Sequence, residues 1–297
     1  MIGKPQRSTR DGQIYLDLQN LARRQGRVTD ELLQIYALEG FLVRLATSPY
    51  ATQLVLKGGV LLAAYQLRRP TRDVDLQGMG MDNAVDVVRG LVTRIAGQPH
   101  DDGIIYDLSQ TRAEVIRDED VYSGVRVNLV CRLARAKLPF HVDVNVGDPI
   151  WPAPQAIELP RVLGGTISLN GFPLAMVHAE KIVTAIQRGV TNTRWRDFAD
   201  IYLLSGQHPI DADDLSRACM EVTAYRAAPA VSLGEALDGY SDFAQEKWVG
   251  WCRKQRFDQH LPIQFSHVLT VIIDFADPVL TGIATGKTWS PYTRAWN

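Results

Sequence analysis

Two aspartates that follow a pair of glycines constrain the fold of this chain more than any other feature. The run TQLVLKGG is rich in strand-forming residues and ends at Gly58 and Gly59, and RDVDLQG, thirteen residues further on, contains Asp73 and Asp75. Residues i and i+2 of a strand point to one face, about 7 Å apart. The pattern therefore predicts strand, glycine turn, short helix and second strand, with both carboxylates projecting together.

Two carboxylates on one face of a strand repel each other, and their proximity is costly unless a cation neutralises them. A divalent metal with oxygen ligands, Mg²⁺ in a cell or alternatively Mn²⁺, is the natural partner. Paired glycines let backbone N–H groups approach a ligand, and a helix that begins there favours phosphate. An isolated Asp-x-Asp is more often a solvent-facing pair, but the glycine turn beside it favours a binding site.

A predicted hairpin supplies a third acid. The runs VRVNLVCRL at 125–133 and FHVDVNVG at 140–147 are both typical of strands. The second run alternates between an apolar face and a polar face made of His141, Asp143 and Asn145. Such a stripe is often the solvated face of a sheet. Three polar residues with no Lys or Glu among them are equally what a site on a sheet requires, so Asp143 is a candidate.

The rest of the chain divides into a mixed part and a helical part. Two helical patterns occupy residues 12–46, and a third covers 82–97. The segment DPIWPAPQAIELP has four prolines in thirteen residues, which favours an extended surface connection. HAEKIVTAIQRG, RWRDFADIYLLSG and the segments that follow are helical in pattern. The sequence predicts an α/β (α+β) core over residues 1–160 and a mostly helical domain over 161–297.

Composition narrows the class of protein. The chain has 297 residues, a net charge of −1, 46% hydrophobic and 22% charged residues, which is typical of an ordinary globular protein. No apolar run of about 18 residues predicts a transmembrane helix, and the polar start predicts no secretory signal. Three widely spaced cysteines indicate free thiols and a cytoplasmic location. Local clusters of Arg and Lys keep RNA binding open despite the near-neutral total.

Together these motifs resemble those of the AbiEii nucleotidyltransferase toxins, which belong to the polymerase-β-like superfamily and to which the mycobacterial MenT toxins are similar. The matching segments are Lys-Gly-Gly, Thr-Arg-Asp-Val-Asp, Asp-Val-Asn, Ala-Glu-Lys-Ile-Val-Thr-Ala-Ile-x-Arg and Arg-Asp-Phe-Ala-Asp-Ile-Tyr, in the family's order, between about residues 30 and 206. The resemblance implies a nucleotidyltransferase core with a mixed β-sheet, completed at the nucleotide by the helical domain. It also implies a toxin that transfers NMP from an NTP to RNA, at the tRNA 3′ end in similar toxins, and a cognate antitoxin.

The resemblance assigns a role to each motif. It makes Asp73, Asp75 and Asp143 the catalytic carboxylates and the ligands of two Mg²⁺ ions. Lys181 becomes a catalytic contact to the triphosphate, and Asp197 orients Lys181 or the incoming base, with a surface ion pair as the alternative for Asp197. The nucleotide-binding set is Lys57, Gly58, Gly59, Thr71, Lys181 and Asp197. Thr71 is also a candidate for an inactivating modification, and the second loop glycine replaces the serine that is common in the superfamily.

Two other functions remain open at this stage. The acceptor of the NMP could be the hydroxyl of a protein or of a small molecule, which the near-neutral charge of the chain favours. Alternatively, the chain could be a non-catalytic binding module whose acids are no longer used. The complete set of three aspartates disfavours the second alternative, and labelled-nucleotide transfer distinguishes all three functions.

Overall fold

The structure is a computed structural model and describes residues 4–116, 124–257 and 259–297. The chain forms two compact units. The first extends to Asp148 and includes Pro154–Phe172, and the second comprises Pro149–Ala153 and Pro173–Asn297. The first unit mixes strands and helices and the second is mostly helical, so the predicted fold class is confirmed. How function divides between residues 1–160 and 161–297 stays a prediction.

A mixed β-sheet organises the first unit, and within the described residues it has eight strands. In chain order they are β1 (Leu54–Lys57), β2 (Asp73–Gly78), β3 (Ile104–Tyr106), β4 (Arg112–Ile116), β5 (Gly124–Leu133), β6 (Ala136–Val146), β7 (Gln155–Pro160) and β8 (Thr166–Gly171). Their spatial order is β3-β5-β6-β2-β1-β8-β7, and β4 also pairs with β5. The β2–β6 and β1–β8 pairs are parallel, whereas β1–β2 and β5–β6 are antiparallel.

The predicted hairpin is confirmed as β5 and β6, which pair along nearly their whole length. Its apolar residues alternate as expected, with Val127 and Val142 fully buried and opposite each other. The proline-rich segment differs from the prediction, because Gln155–Pro160 forms a strand rather than a plain connection. Among the strands that the structure describes, this one pairs with β8 alone and lies at the sheet edge, where proline costs no ladder hydrogen bond.

Helices cover the sheet of the first unit. They are α1 (Arg10–Gln25), α2 (Thr29–Ala46), the single turn α3 (Gly58–Leu61), which a 3₁₀ turn at Leu62–Tyr65 continues, and α4 (Val85–Ala96). α2 packs on β6, where the ring of Phe41 lies 6.3 Å from that of Phe140. α1 begins where Thr9 accepts a hydrogen bond from the N–H of Gly12. The predicted strand–turn–helix–strand order around the two glycines is therefore present.

The second unit contains α5 (Leu174–Arg188), α6 (Trp195–Ser205), α7 (Ala212–Tyr225), α8 (Leu233–Ala236), α9 (Tyr240–Gln255) and α10 (Phe265–Leu280). A small antiparallel sheet joins β9 (Ile210–Asp211), β10 (Thr288–Ser290) and β11 (Ala295–Trp296). Trp248 and Phe265 are completely buried, and their rings lie 4.9 Å apart in the core. In the part of the chain that the structure describes, no helix is long and apolar enough to cross a membrane. All three cysteines are buried thiols.

Candidate active site

Strand register brings the three candidate acids onto one face of the sheet. β2 runs parallel to β6, so Asp75 lies beside Asp143 and Asp73 lies beside His141. Neighbouring strands are about 4.8 Å apart, and residues paired across them point to the same face. Asp73, Asp75 and Asp143 therefore form a compact acidic group, which matches the placement that the alternation of both strands predicts.

Two cations flank the acids in the same row. On β5, Arg126 is paired with Asp143, and on β1, Lys57 is paired with Asp75. The row across four strands is therefore Arg126, Asp143, Asp75, Lys57, with the two negative charges between the two positive ones. The two flanking cations offset part of the repulsion between the adjacent carboxylates.

Arg126 binds Asp143 through two parallel hydrogen bonds. Its Nε donates to Oδ1 of Asp143 at 2.9 Å, and its Nη2 donates to Oδ2 at 2.7 Å. The Asp143 side chain is 10% exposed, whereas that of Arg126 is 37% exposed. The hydrogen bonds to Asp143 outweigh desolvation and raise the pKa of Arg126, so the guanidinium is fully charged. Nε2 of His141 lies 3.9 Å from Oδ2 of Asp73 and equally 3.9 Å from Oδ2 of Asp143.

The carboxylate of Asp75 rests on the glycine turn. The N–H of Gly59 donates a hydrogen bond to it. Burial, and then the charges of Asp73 and Asp143, raise the pKa of Asp75 to about 7. Gly58 has φ +67°, and a Cβ there would lie 1.9 Å from Oδ2 of Asp75. Only glycine fits at position 58, because any side chain would be strained and would displace the acid.

Thr71 and Lys57 are held by other acids of the first unit. The hydroxyl of Thr71 donates to Oδ1 of Asp73, so this side chain orients the first acid of the pair. A Cβ at Gly59 would lie 2.8 Å from Oγ1 of Thr71, so the second loop glycine is also closely surrounded. Nζ of Lys57 donates to Oδ2 of Asp148 at 3.2 Å, and both side chains are largely buried.

The chemistry of these residues fits a divalent cation, with one condition. The donors are carboxylate oxygens, and a divalent cation would offset the charges of Asp73 and Asp143, which after burial are the next causes of the raised pKa of Asp75. Among the described residues, however, no group of three or more His, Cys, Asp or Glu side chains has the arrangement that would hold a metal ion as it stands. Because Arg126 binds both oxygens of Asp143, a cation shared by all three acids would compete with the guanidinium for that carboxylate.

The remaining predicted residues, Lys181 and Asp197, form a second charged cluster within the second unit. Nζ of Lys181, on α5, donates to Asp197 and to Asp200 of α6, each at 2.8 Å. Nε of Arg194 donates to the other oxygen of Asp197 at 2.7 Å. Although burial opposes it, the charges of Lys181 and Arg194 hold the pKa of Asp197 well below its usual range. Two cations and two carboxylates balance each other here.

Sequence reasoning missed Arg126 and Asp200 as members of these clusters. Arg126 is the first polar residue in the alternation VRVN, on the side of the hairpin that Asn128 shares. Only the observed register, in which β6 begins at Ala136 rather than at Phe140, places it opposite Asp143. Asp200 follows Asp197 by three residues on a helical pattern, so both acids lie on one face of α6.

This chain is similar to a known protein family and to several solved structures. The family model "Nucleotidyl transferase AbiEii toxin, Type IV TA system" matches residues 40–271. The structure of MenT4, a nucleotidyltransferase toxin of Mycobacterium tuberculosis, is similar at 16% identity with a TM-score of 0.54, covering 90% of this chain and 98% of that one. JHP933 from Helicobacter pylori gives 17% identity and a TM-score of 0.48, covering 91% and 94%. A search of curated protein sequences found no match. At such identities the likeness to MenT4 concerns the fold.

Proposed function

Because the chain belongs to the AbiEii nucleotidyltransferase toxin family, we propose that it transfers a nucleoside monophosphate from an NTP to RNA, at the 3′ end of tRNA, and so blocks translation. The observation that carries this proposal is the pairing of Asp75 with Asp143 beside the glycine turn, with Asp73 on the same face. We propose that this group binds the divalent ions that nucleotidyltransferases generally use, and that the ion is Mg²⁺.

The acids act together in the proposed reaction. Asp73, Asp75 and Asp143 would hold the divalent ions, which when bound offset the charge of the triphosphate and favour ionisation of the acceptor hydroxyl. The carboxylate of Asp143 accepts the proton of that hydroxyl, whose oxygen bonds to the α-phosphorus while the bond to the β-phosphate oxygen breaks and pyrophosphate leaves. Thr71 keeps Asp73 oriented through its hydroxyl.

The glycine turn gives the nucleotide access to the acids. Neither Gly58 nor Gly59 has a side chain that would separate a phosphate from Asp75, and the hydrogen bond from Gly59 keeps that carboxylate in place. Lys57 is paired with Asp75 across the strands and supplies positive charge behind the acids. The ion pair with Asp148 holds the ammonium group of Lys57 in a fixed position.

For Lys181 we propose contact with the triphosphate. Asp197 and Asp200 hold its ammonium in a defined direction, and Arg194 in turn holds Asp197. The two carboxylates balance the two cations, so Lys181 contributes as a positioned donor rather than as an isolated charge. The type IV toxin–antitoxin family implies an antitoxin partner, and we propose that it is a cognate protein.

The test is transfer of label from each α-³²P-NTP to total RNA in the presence of Mg²⁺. We expect label in a tRNA-sized band, absent with EDTA and in Asp73→Ala, and retained in Asp86→Ala, which removes an 87% exposed carboxylate from the surface of α4. Activity should fall as salt rises, because RNA binding depends on phosphate contacts. Label only in protein or in a small molecule would refute the RNA acceptor. If no NTP were consumed, the catalytic proposal would fail.

A further inference from the structure

Arg126 holds the oxygens that a metal ion would need. Its guanidinium contacts both Oδ1 and Oδ2 of Asp143, at 2.9 and 2.7 Å. A divalent ion bound by Asp75 and Asp143 would share these oxygens with the guanidinium, whose positive charge opposes that of the ion. Cation and arginine therefore compete for the same carboxylate, and the strength of the ion pair sets part of the affinity for the metal.

The guanidinium has a second suitable partner in the proposed reaction. A planar fork of N–H donors matches the oxygens of a phosphate as well as those of a carboxylate. The exposure of Arg126, at 37% against 10% for Asp143, lets the arginine change partners while the acid stays buried. A metal-bound triphosphate supplies a new partner for both residues, because its cation can bind Asp143 and its phosphate oxygens can bind Arg126.

We propose that Arg126 is a positioning residue that exchanges Asp143 for a phosphate of the metal-bound nucleotide. This inference rests on the proposed function. Before the exchange Arg126 fixes Asp143 in the row beside Asp75, and afterwards it binds the nucleotide. The site consequently binds a bare cation less well than it would without Arg126, and binds the nucleotide better.

Metal affinity without nucleotide gives the first test. We would titrate the full chain with Mn²⁺ and measure free ion by electron paramagnetic resonance. Arg126→Gln should bind Mn²⁺ about fivefold more tightly than the unsubstituted chain, because a partly exposed competing ion pair is gone. The control is Arg112→Gln on β4, which removes an exposed guanidinium whose strand neighbour is Asn128 rather than Asp143. Its Mn²⁺ affinity should change by less than about twofold.

The direction of that change distinguishes exchange from simple support. If Arg126 only fixed the orientation of the Asp143 side chain, Arg126→Gln would bind Mn²⁺ more weakly than the unsubstituted chain or equally well. Either result overturns the inference. Nucleotide affinity, measured by calorimetry with Mn²⁺ and a non-hydrolysable NTP, should weaken about tenfold in Arg126→Gln and recover in part in Arg126→Lys. Unchanged nucleotide affinity in Arg126→Gln would also overturn it. Thermal melting confirms that each variant is folded.

The same titration keeps this inference separate from the proposed function. If the unsubstituted chain bound no Mn²⁺, the metal-dependent mechanism would fail and the role of Arg126 would fail with it. If the unsubstituted chain bound Mn²⁺ and transferred label to RNA while Arg126→Gln bound the ion no more tightly, the inference alone would be refuted.

Discussion

Asp75 lies among other acids, and its ionisation opposes folding near neutral pH. Burial and the charges of Asp73 and Asp143 raise its pKa to about 7 from the ordinary 3.8. Asp75→Asn removes the charge and keeps an oxygen that can accept the hydrogen bond from Gly59. We therefore expect this variant to be inactive as an enzyme and yet more stable than the unsubstituted chain when EDTA is present.

The size of the effect follows from the pKa. The difference between 3.8 and about 7, at ~1.4 kcal/mol per pKa unit, corresponds to about 4 kcal/mol at pH 8. Movement of neighbouring side chains reduces this figure, so we expect a gain of about 2–4 kcal/mol. Between pH 4 and 7 the folded chain keeps a proton that the unfolded chain has lost, so stability falls as pH rises through this range. At pH 5 the gain should be only about 1–2 kcal/mol.

Urea denaturation in the presence of EDTA, at pH 5 and at pH 8, measures the gain in the free energy of unfolding of Asp75→Asn at each pH. Asp86→Asn, which alters an exposed carboxylate of the same unit, should shift the free energy of unfolding by less than about 0.5 kcal/mol at either pH. Added Mg²⁺ should then stabilise the unsubstituted chain more than Asp75→Asn. A variant less stable than the unsubstituted chain at pH 8, or a gain that shrinks between pH 5 and pH 8, would refute the electrostatic reasoning.

Three further substitutions test the glycine turn, the buried cluster and the third acid. Gly58→Ala should lower the free energy of unfolding, measured by urea denaturation, by about 2–4 kcal/mol. Gly165 also has a positive φ, but a Cβ there would meet nothing within 4 Å, so Gly165→Ala should cost only about 1 kcal/mol. Equal losses in the two variants would contradict the close approach of Gly58 to Asp75. Lys181→Met should lower the free energy of unfolding by about 3–5 kcal/mol, because it leaves buried carboxylates uncompensated. Adding Asp200→Asn to Lys181→Met should restore part of the lost stability. If thermal melting showed instead that the losses of the two single variants add up in the double variant, the two residues would not belong to one interacting cluster. Asp143→Asn should abolish turnover while the calorimetric NTP affinity changes by less than about threefold, and loss of both would count against its role as proton acceptor.

Much of the first unit could be predicted from local sequence, because strand alternation has a period of two. The alternation in VRVNLVCRL and FHVDVNVG identified both strands of the hairpin and the polar face that contains Asp143. The spacing of Asp73 and Asp75 placed both acids on one face in the same way. These features depend on residues close together in the sequence, so the alternation of polar and apolar residues is enough to predict them.

Contacts between elements were harder to predict, because they depend on register and packing. The ion pair of Arg126 with Asp143 needs the pairing of β5 with β6 to be known to the residue, since a slip of one position moves every side chain to the other face. For Lys181, the positions three and four residues away on its own helix hold no acid. Its partners come from α6 instead, and only the packing of α5 on α6 reveals them.

The charges in the sheet row suggest why metal and nucleotide should bind together. In the order Arg126, Asp143, Asp75, Lys57, each acid has one cation beside it. A bare divalent ion gains the two acids but displaces Arg126 without giving it a new partner. A triphosphate that arrives with its ion adds the negative charge that Arg126 then needs. Binding of either component consequently strengthens binding of the other, and because such coupling is reciprocal, the same exchange that disfavours the bare ion favours the complete substrate.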